Sequence, residues 1–177
     1  ANDAAAGDEF GVSVSIDADY VLIGAKEVGN ASGSAYIFQH VDATWPQIVK
    51  LNPGDVSAQD KFGLSVSING DYALVGAHDF DGQGAAYVFH RVNSAWPQEA
   101  KLTADDGAFL AHFGFGVSIS GDYALVGANQ SDESGNNSGS AYIFQRTGTN
   151  WNQVAKLTAN DAEAGDIFGN NISLSGN

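Results

Sequence analysis

The heptapeptide Phe10-Gly-Val-Ser-Val-Ser-Ile16 recurs along this chain of 177 residues. Related stretches begin at Phe62, Phe113 and Phe168, so successive copies start 52, 51 and 55 residues apart. In the first three copies bulky residues alternate with glycine and serine, and this period of two is typical of a β-strand. Repetition at a nearly fixed period indicates an architecture built from one supersecondary unit. The sequence therefore predicts one β-strand that recurs in a unit of about 50 residues.

Three further segments follow this strand in each full copy. The second segment begins Asp-Tyr and ends Gly-Ala, the third contains Ala-Tyr and ends in Phe, and the fourth runs from Trp to Leu. Their β-branched and aromatic residues favour strands. The spacer between the first two segments has two residues, such as Asn69-Gly70, which is typical of a tight hairpin. Four antiparallel strands in each repeat form one blade of a β-propeller.

We therefore predict an all-β fold for residues 1–177, a β-propeller segment with three full four-stranded antiparallel blades and the first strand of a fourth. The repeats cover approximately residues 2–53, 54–104, 105–159 and, in part, 160–177. Because the fourth copy stops before its second strand, two alternatives are open. Either the sequence is a fragment of a longer propeller, or several copies lend one another strands.

The glycines and aromatic residues that recur at one position in each repeat are predicted to be structural. Small side chains permit the close approach of neighbouring blades, and aromatic rings fill the wedge between them. These positions are Phe10, Gly11, Gly24, Phe62, Gly63, Gly76, Phe113, Gly114, Gly127, Trp45, Trp96 and Trp151.

The charge of the chain excludes several classes of partner. Seven Lys and Arg residues stand against 21 Asp and Glu residues, a formal net charge of −14. Such a surface repels the phosphates of nucleic acid and of anionic lipid. No apolar run approaches the roughly 20 residues of a membrane-spanning helix, so no membrane insertion is expected. The absence of cysteine excludes disulfides and thiolate ligands.

No catalytic constellation is evident in the sequence. The four histidines occupy different repeat positions without a ligand spacing, and we expect surface positions for them. No Gly-x-Ser-x-Gly elbow is present, and the glycines of Gly114-Phe-Gly116 lie within a predicted strand rather than before a helix. The chain is therefore predicted not to be an enzyme.

The loops between the second and third strands differ among the repeats, and loops on a rigid scaffold commonly bind ligands. Two of them carry paired acidic residues, which makes Asp79, Asp81, Asp132 and Glu133 the candidate metal ligands. Calcium is the ion considered, because it prefers oxygen ligands, and no other cofactor is expected. The sequence assigns no ligand-binding residue.

A second acidic set precedes the first strand of each repeat. Its members are Asp3, Asp8, Asp55, Asp60, Asp106, Asp161 and Asp166. One interpretation is solvation and turn formation. The other is an acidic ring that binds cations or a basic partner.

Phe-Gly at the start of the first strand, together with Gly24-Ala25, Gly76-Ala77 and Gly127-Ala128 at the end of the second, resembles the FG-GAP repeat of the integrin α-subunit propeller. The chain resembles still more the bacterial secreted versions of this repeat, which have Ser-Val-Ser-Ile and Gly-Ser-Ala-Tyr-Ile-Phe segments. The resemblance implies a secreted or cell-surface binding and adhesion module with its ligand held by loops on one rim. The calcium loop of integrin blades has no counterpart in the two-residue hairpin of this chain.

Two hypotheses for function follow from this resemblance. The first is a non-catalytic extracellular binding or adhesion module that presents its inter-strand loops to a glycan or protein ligand. The alternative is a structural segment of a larger extracellular protein or filament, which self-associates by completing blades between chains.

Overall fold

A computed structural model describes residues 1–107 and 109–176 and confirms the predicted all-β fold. The described strands form three four-stranded antiparallel sheets in simple sequential order. Blade 1 consists of β1 (Phe10–Asp17), β2 (Tyr20–Ala25), β3 (Ser34–Gln39) and β4 (Gln47–Leu51). Blade 2 consists of β5 (Val66–Asn69), β6 (Tyr72–Ala77), β7 (Ala85–His90) and β8 (Gln98–Leu102). Blade 3 consists of β9 (Phe113–Ser120), β10 (Tyr123–Ala128), β11 (Ser140–Thr147) and β12 (Asn150–Leu157).

The described loops contain two short turns, α1 (Val28–Ala31), in which Gly29 and Asn30 have positive φ, and a 3-10 turn at Phe80–Gly82. None of the helical segments in the described part of the chain has the length and apolar character that crossing a membrane requires.

A two-residue turn joins the first two strands of each blade. This turn lies one residue further along the chain than the two-residue spacer identified in the sequence. In blade 2, Asn69 pairs with Tyr72, so the turn is Gly70-Asp71. Its first residue has a positive φ of 57°. Alanine occupies this position in blade 1, where Ala18 has a φ of 47°. A turn this short leaves no room between these strands for a calcium-binding loop.

Each blade has two different faces, which we call the front face and the rear face. The front face of blade 2 packs against the rear face of blade 1, and the front face of blade 3 packs against the rear face of blade 2. The front face of blade 2 includes Phe62, Val66, Ile68, Val75, Tyr87, Phe89 and Trp96. The rear face of blade 1 consists of Leu22, Ala35, Ile37 and Leu51. The core therefore lies between blades rather than within one sheet.

The serines of the first strand connect adjacent blades, which explains the alternation in the sequence. The hydroxyl of Ser13 donates to the carbonyl oxygen of Gly63 at 2.9 Å, and Ser65 donates in the same way to Gly114. The Ser15 hydroxyl accepts a hydrogen bond from the backbone N–H of Ile68 at 3.1 Å. The small face of the innermost strand thus binds the next blade through hydrogen bonds.

The recurring glycines meet each other across the same interfaces. A Cβ atom on Gly24 would lie 1.9 Å from the carbonyl oxygen of Gly63, and one on Gly76 would lie 2.0 Å from that of Gly114. The Gly-Ala glycine of one blade therefore contacts the Phe-Gly glycine of the next. No side chain fits at such a distance between two backbones.

The partial fourth copy lies against the rear of blade 3. A Cβ on Gly127 would lie 1.9 Å from the carbonyl oxygen of Gly169, and the N–H of Leu174 donates to the Ser118 hydroxyl at 2.9 Å. Phe168 also forms a parallel bridge with Gly139. This segment therefore occupies the place of the first strand of a further blade.

Candidate functional site

One rim of the blades carries most of the chain's sequence variation, and we call it the loop rim. It consists of the connections between second and third strands and the lead-in segments that precede the first strands. Each connection is hydrogen-bonded to the lead-in segment of the next blade. The Lys61 amide donates to the Ala31 carbonyl at 2.8 Å, and the Ile167 amide donates to the Asn137 carbonyl at 3.0 Å. These backbone bonds hold the loops in a fixed arrangement.

In each of the three full blades, one acidic residue of the lead-in segment forms an ion pair with a lysine of the fourth strand. The pairs are Asp3 with Lys50 at 2.5 Å, Asp55 with Lys101 at 2.9 Å and Asp106 with Lys156 at 2.6 Å. Each of these lysines also lies over the ring of Tyr36, Tyr87 or Tyr142. The hydrogen bond from Lys50 lowers the pKa of Asp3 below its ordinary value. These acidic residues have partners within their own blades.

A second acidic residue of the lead-in segments forms a turn. Asp8, Asp60 and Asp166 each accept a hydrogen bond from the amide three residues earlier, at 2.6 to 2.7 Å. Asp161 is exposed. Six of the seven acidic residues in this set therefore take part in ion pairs or turns.

The four candidate metal ligands from the second-to-third-strand loops do not come together. Glu133 forms an ion pair with Lys156, and Asp132 accepts a hydrogen bond from the Asn137 amide at 2.7 Å. Asp81 is exposed in a left-handed conformation with a φ of 48°. Within residues 1–107 and 109–176, Asp79 alone of the four belongs to a group of three side chains that could hold a metal ion.

Asp79 joins two histidines at the interface of blades 2 and 3. His78 and Asp79 directly follow β6, and His112 directly precedes β9. The Asp79 Oδ1 atom is 3.0 Å from Nδ1 of His78 and 3.5 Å from Nε2 of His112. One ligand atom of each of these three residues lies within 4.8 Å of those of the other two. The other oxygen of Asp79, Oδ2, is 3.2 Å from Nζ of Lys61.

Both histidines of this cluster are neutral at pH 7. Burial lowers the pKa of His78 to about 4, and the neighbouring carboxylate of Asp79 offsets only part of this effect. Burial also lowers the pKa of His112. Neutral imidazole is the form that binds metal ions.

The expectation of surface positions is wrong for His78, whose exposed fraction is 6%. Sequence reasoning missed the cluster because the histidines are at different positions of the repeat. In the fold, the residues after Gly-Ala of one blade meet the residue before Phe-Gly of the next. That pairing of positions is the signal that could have identified the cluster. The equivalent residues at the other interfaces are Lys26, Glu27 and Lys61, and Asn129, Gln130 and Ile167.

A surface cavity of about 240 Å³ lies on the loop rim of blade 3. Charged and polar side chains line much of it, with the ring of Tyr142 at its side. Its lining residues are Asp106, Ala111, Ser131, Asp132, Glu133, Tyr142 and Lys156.

Blades that stack front to rear around a glycine contact define a repeat protein of the β-propeller class. The FG-GAP repeat family model matches residues 1–38, 45–89, 96–144 and 151–177. The chain therefore belongs to the FG-GAP repeat family, and the resemblance seen in its sequence is confirmed. No curated protein matches the chain.

Membership of this family gives a coarse functional class. FG-GAP repeats form β-propellers and suggest an extracellular binding or structural module. They typically occur in extracellular or surface proteins, and the family is generally non-enzymatic.

Proposed function

We propose that this chain is a non-catalytic binding and adhesion module of a secreted or cell-surface protein, and that its loop rim binds a protein or glycan ligand. The observation that carries this proposal is the contrast between strands and loops. The strands repeat almost residue for residue, whereas the connections over 26–32, 78–83 and 129–138 differ in length and chemistry. Variable loops on a constant scaffold are the usual location of binding sites.

The rigidity of the loop rim supports the proposal. Backbone hydrogen bonds join each connection to the following blade, so a ligand encounters a surface that is already ordered. A preorganised surface loses less conformational entropy on binding. The cavity on blade 3 is lined by both signs of charge, with Lys156 paired to Asp106 and Glu133. Such a surface offers hydrogen bonds to either a protein or a glycan.

Exchange of one loop tests this function. The purified chain is screened against a glycan array and a panel of purified extracellular proteins. In a matched variant the connection 26–32 replaces 129–138, because both join a Gly-Ala strand end to a glycine with positive φ, Gly33 or Gly139. We expect binding by the wild-type chain and at least a tenfold weaker affinity in this variant, about 1.4 kcal/mol.

The control exchange lies on the opposite rim. Residues 92–95 replace 41–44, since both form the same antiparallel bridge between their ends. We expect this variant to retain full affinity. Equal loss of affinity in both variants, or no ligand in either screen, contradicts the proposed function.

A second candidate function is supported by the front face of blade 1. Ile16 is 63% exposed, whereas the equivalent Ile68 and Ile119 of blades 2 and 3 are 5% and 4% exposed. The surrounding face, which includes Phe10, Val21, Ile23, Phe38 and Trp45, lines an apolar cavity of about 480 Å³. In blades 2 and 3 this surface packs against another blade. Under this candidate, a second copy of the chain covers the front face of blade 1 by self-association, and the module is structural.

Native mass distinguishes the second candidate from the first. Light scattering of the purified chain is expected to give an oligomer, and Ile16→Asp is expected to give a folded monomer because the substitution lies at an exposed position. Val92→Asp, at an exposed position on the opposite rim, serves as the control and should remain oligomeric. A folded wild-type monomer contradicts assembly between copies and leaves the loop-rim proposal unaffected.

A further inference from the structure

We propose that His78, Asp79 and His112 form a binding site for a divalent transition-metal ion of the zinc type, which bridges blades 2 and 3. The ligand atoms are Nδ1 of His78, Oδ1 of Asp79 and Nε2 of His112. Two imidazoles and one carboxylate are a ligand set found in mononuclear zinc sites, which leave a fourth position for water. Calcium and magnesium prefer oxygen ligands and do not suit two imidazoles.

The distances among these atoms fit a metal ion. Zinc–nitrogen and zinc–oxygen bonds of about 2.0–2.1 Å in a tetrahedral site put neighbouring ligand atoms roughly 3.3 Å apart. The two separations from Oδ1 of Asp79 are 3.0 and 3.5 Å, on either side of that value. One ligand atom of each of the three residues lies within 4.8 Å of those of the other two.

An independent observation points to a ligand at this position. Nδ1 of His78 is buried and has no hydrogen-bond partner among the described residues, although Oδ1 of Asp79 is 3.0 Å away. Its side chain is 7% exposed. A buried ring nitrogen without a partner is costly, and the cost is removed when the nitrogen binds a metal ion.

Neighbouring groups hold the proposed ligands in position. Lys61 contacts the outer oxygen of Asp79 at 3.2 Å and leaves the inner oxygen free for the ion. The ring of Phe115 packs edge-on against His78, with centroids 5.4 Å apart. A hydrogen-bonding partner on a ligating carboxylate fixes the orientation of that carboxylate. The ion would connect a residue pair of blade 2 to the lead-in segment of blade 3.

The test uses Zn²⁺ and Co²⁺ alone with the untagged chain. Calorimetric titration is expected to give one Zn²⁺ per chain, and Co²⁺ is expected to give visible absorption from a site with nitrogen ligands. Zn²⁺ is also expected to raise the unfolding temperature, because it binds only the folded arrangement. Ca²⁺ is expected to give no saturable binding at this site.

The repeat supplies variants that the fold already tolerates. His78→Asn introduces the residue found at Asn129, and His112→Lys introduces the residue found at Lys61. Loss of a residue that only contacts a metal ligand weakens metal binding roughly 10–100-fold. Each of these two variants loses a ligand itself, so we expect Zn²⁺ affinity to fall by more than that. His90→Gln introduces the residue found at Gln39 and Gln145 and is expected to bind Zn²⁺ like the wild type.

Three results would overturn the proposal. They are the absence of saturable Zn²⁺ binding by the folded wild-type chain, unchanged affinity in a folded double variant carrying His78→Asn and His112→Lys, and tighter binding of Ca²⁺ than of Zn²⁺. Circular dichroism of each metal-free variant shows whether it is folded.

Discussion

Phe62→Ala is expected to lower the free energy of unfolding by about 3–5 kcal/mol, the range for truncating a buried phenylalanine. Phe62 is fully buried between blades 1 and 2, and its ring packs edge-on against Tyr87 and Phe89, with centroids 5.6 and 6.1 Å away. Alanine leaves a cavity bounded by two sheets, and neither can collapse into it without losing contacts elsewhere. Urea denaturation followed by circular dichroism measures the change.

Phe10→Ala is the matched control for this substitution. Phe10 makes the same contacts within its blade, with Tyr36 and Phe38 at 5.6 and 6.1 Å, but it is 40% exposed. We expect it to cost about 1 kcal/mol, because less apolar area leaves water when it folds. The difference between the two variants therefore measures the contribution of the neighbouring blade. Equal losses would contradict a core that lies between blades.

Gly76→Ala is expected to be at least as damaging, with a loss of about 3 kcal/mol or more. The added methyl group would lie 2.0 Å from the Gly114 carbonyl oxygen and 2.4 Å from the Ser65 hydroxyl oxygen. The hydroxyl can rotate, but the carbonyl belongs to the backbone of blade 3. The two blades must therefore separate, which breaks the hydrogen bond from Ser65 to Gly114 and loosens the packing around it.

Gly54→Ala serves as the control, because Gly54 does not have a positive φ and a Cβ there has no atom within 4 Å. It should change the free energy of unfolding by less than about 0.5 kcal/mol. The Gly76→Ala variant could fail to fold, in which case it shows no cooperative unfolding transition. That result also agrees with the prediction, provided that Gly54→Ala unfolds like the wild type. Similar stability of the two variants would contradict the proposed backbone contact.

Repetition made the blade architecture predictable from the sequence. Alternation in Phe10–Ile16 predicted a strand, and the four strand-like segments within each repeat predicted the four-stranded sheets. A local pattern of this kind depends only on residues close together in the chain. The same reasoning predicted close approach at Gly11, Gly63 and Gly114 without identifying what approaches them.

The contacts between blades could not be read from the sequence in the same way. Gly76 meets Gly114 because one strand end abuts the start of a strand 38 residues later, and that pairing depends on how the sheets stack. The grouping of His78, Asp79 and His112 depends on the same stacking. Candidate ligands selected within one loop, such as Asp132 and Glu133, instead bind a neighbouring amide and lysine. Local sequence thus predicted the elements, and the relation between repeats determined the cluster.

The difference between the front and rear faces gives the blade array a polarity. A contact between two unlike surfaces is heterologous, so each added unit presents again the surface that the previous unit presented. An array of this kind grows in one direction, and the rotation from one blade to the next determines whether it closes on itself or continues as an open spiral. Duplication of a repeat adds another interface of the same kind without altering those already present, which allows the number of blades to change while each blade stays the same.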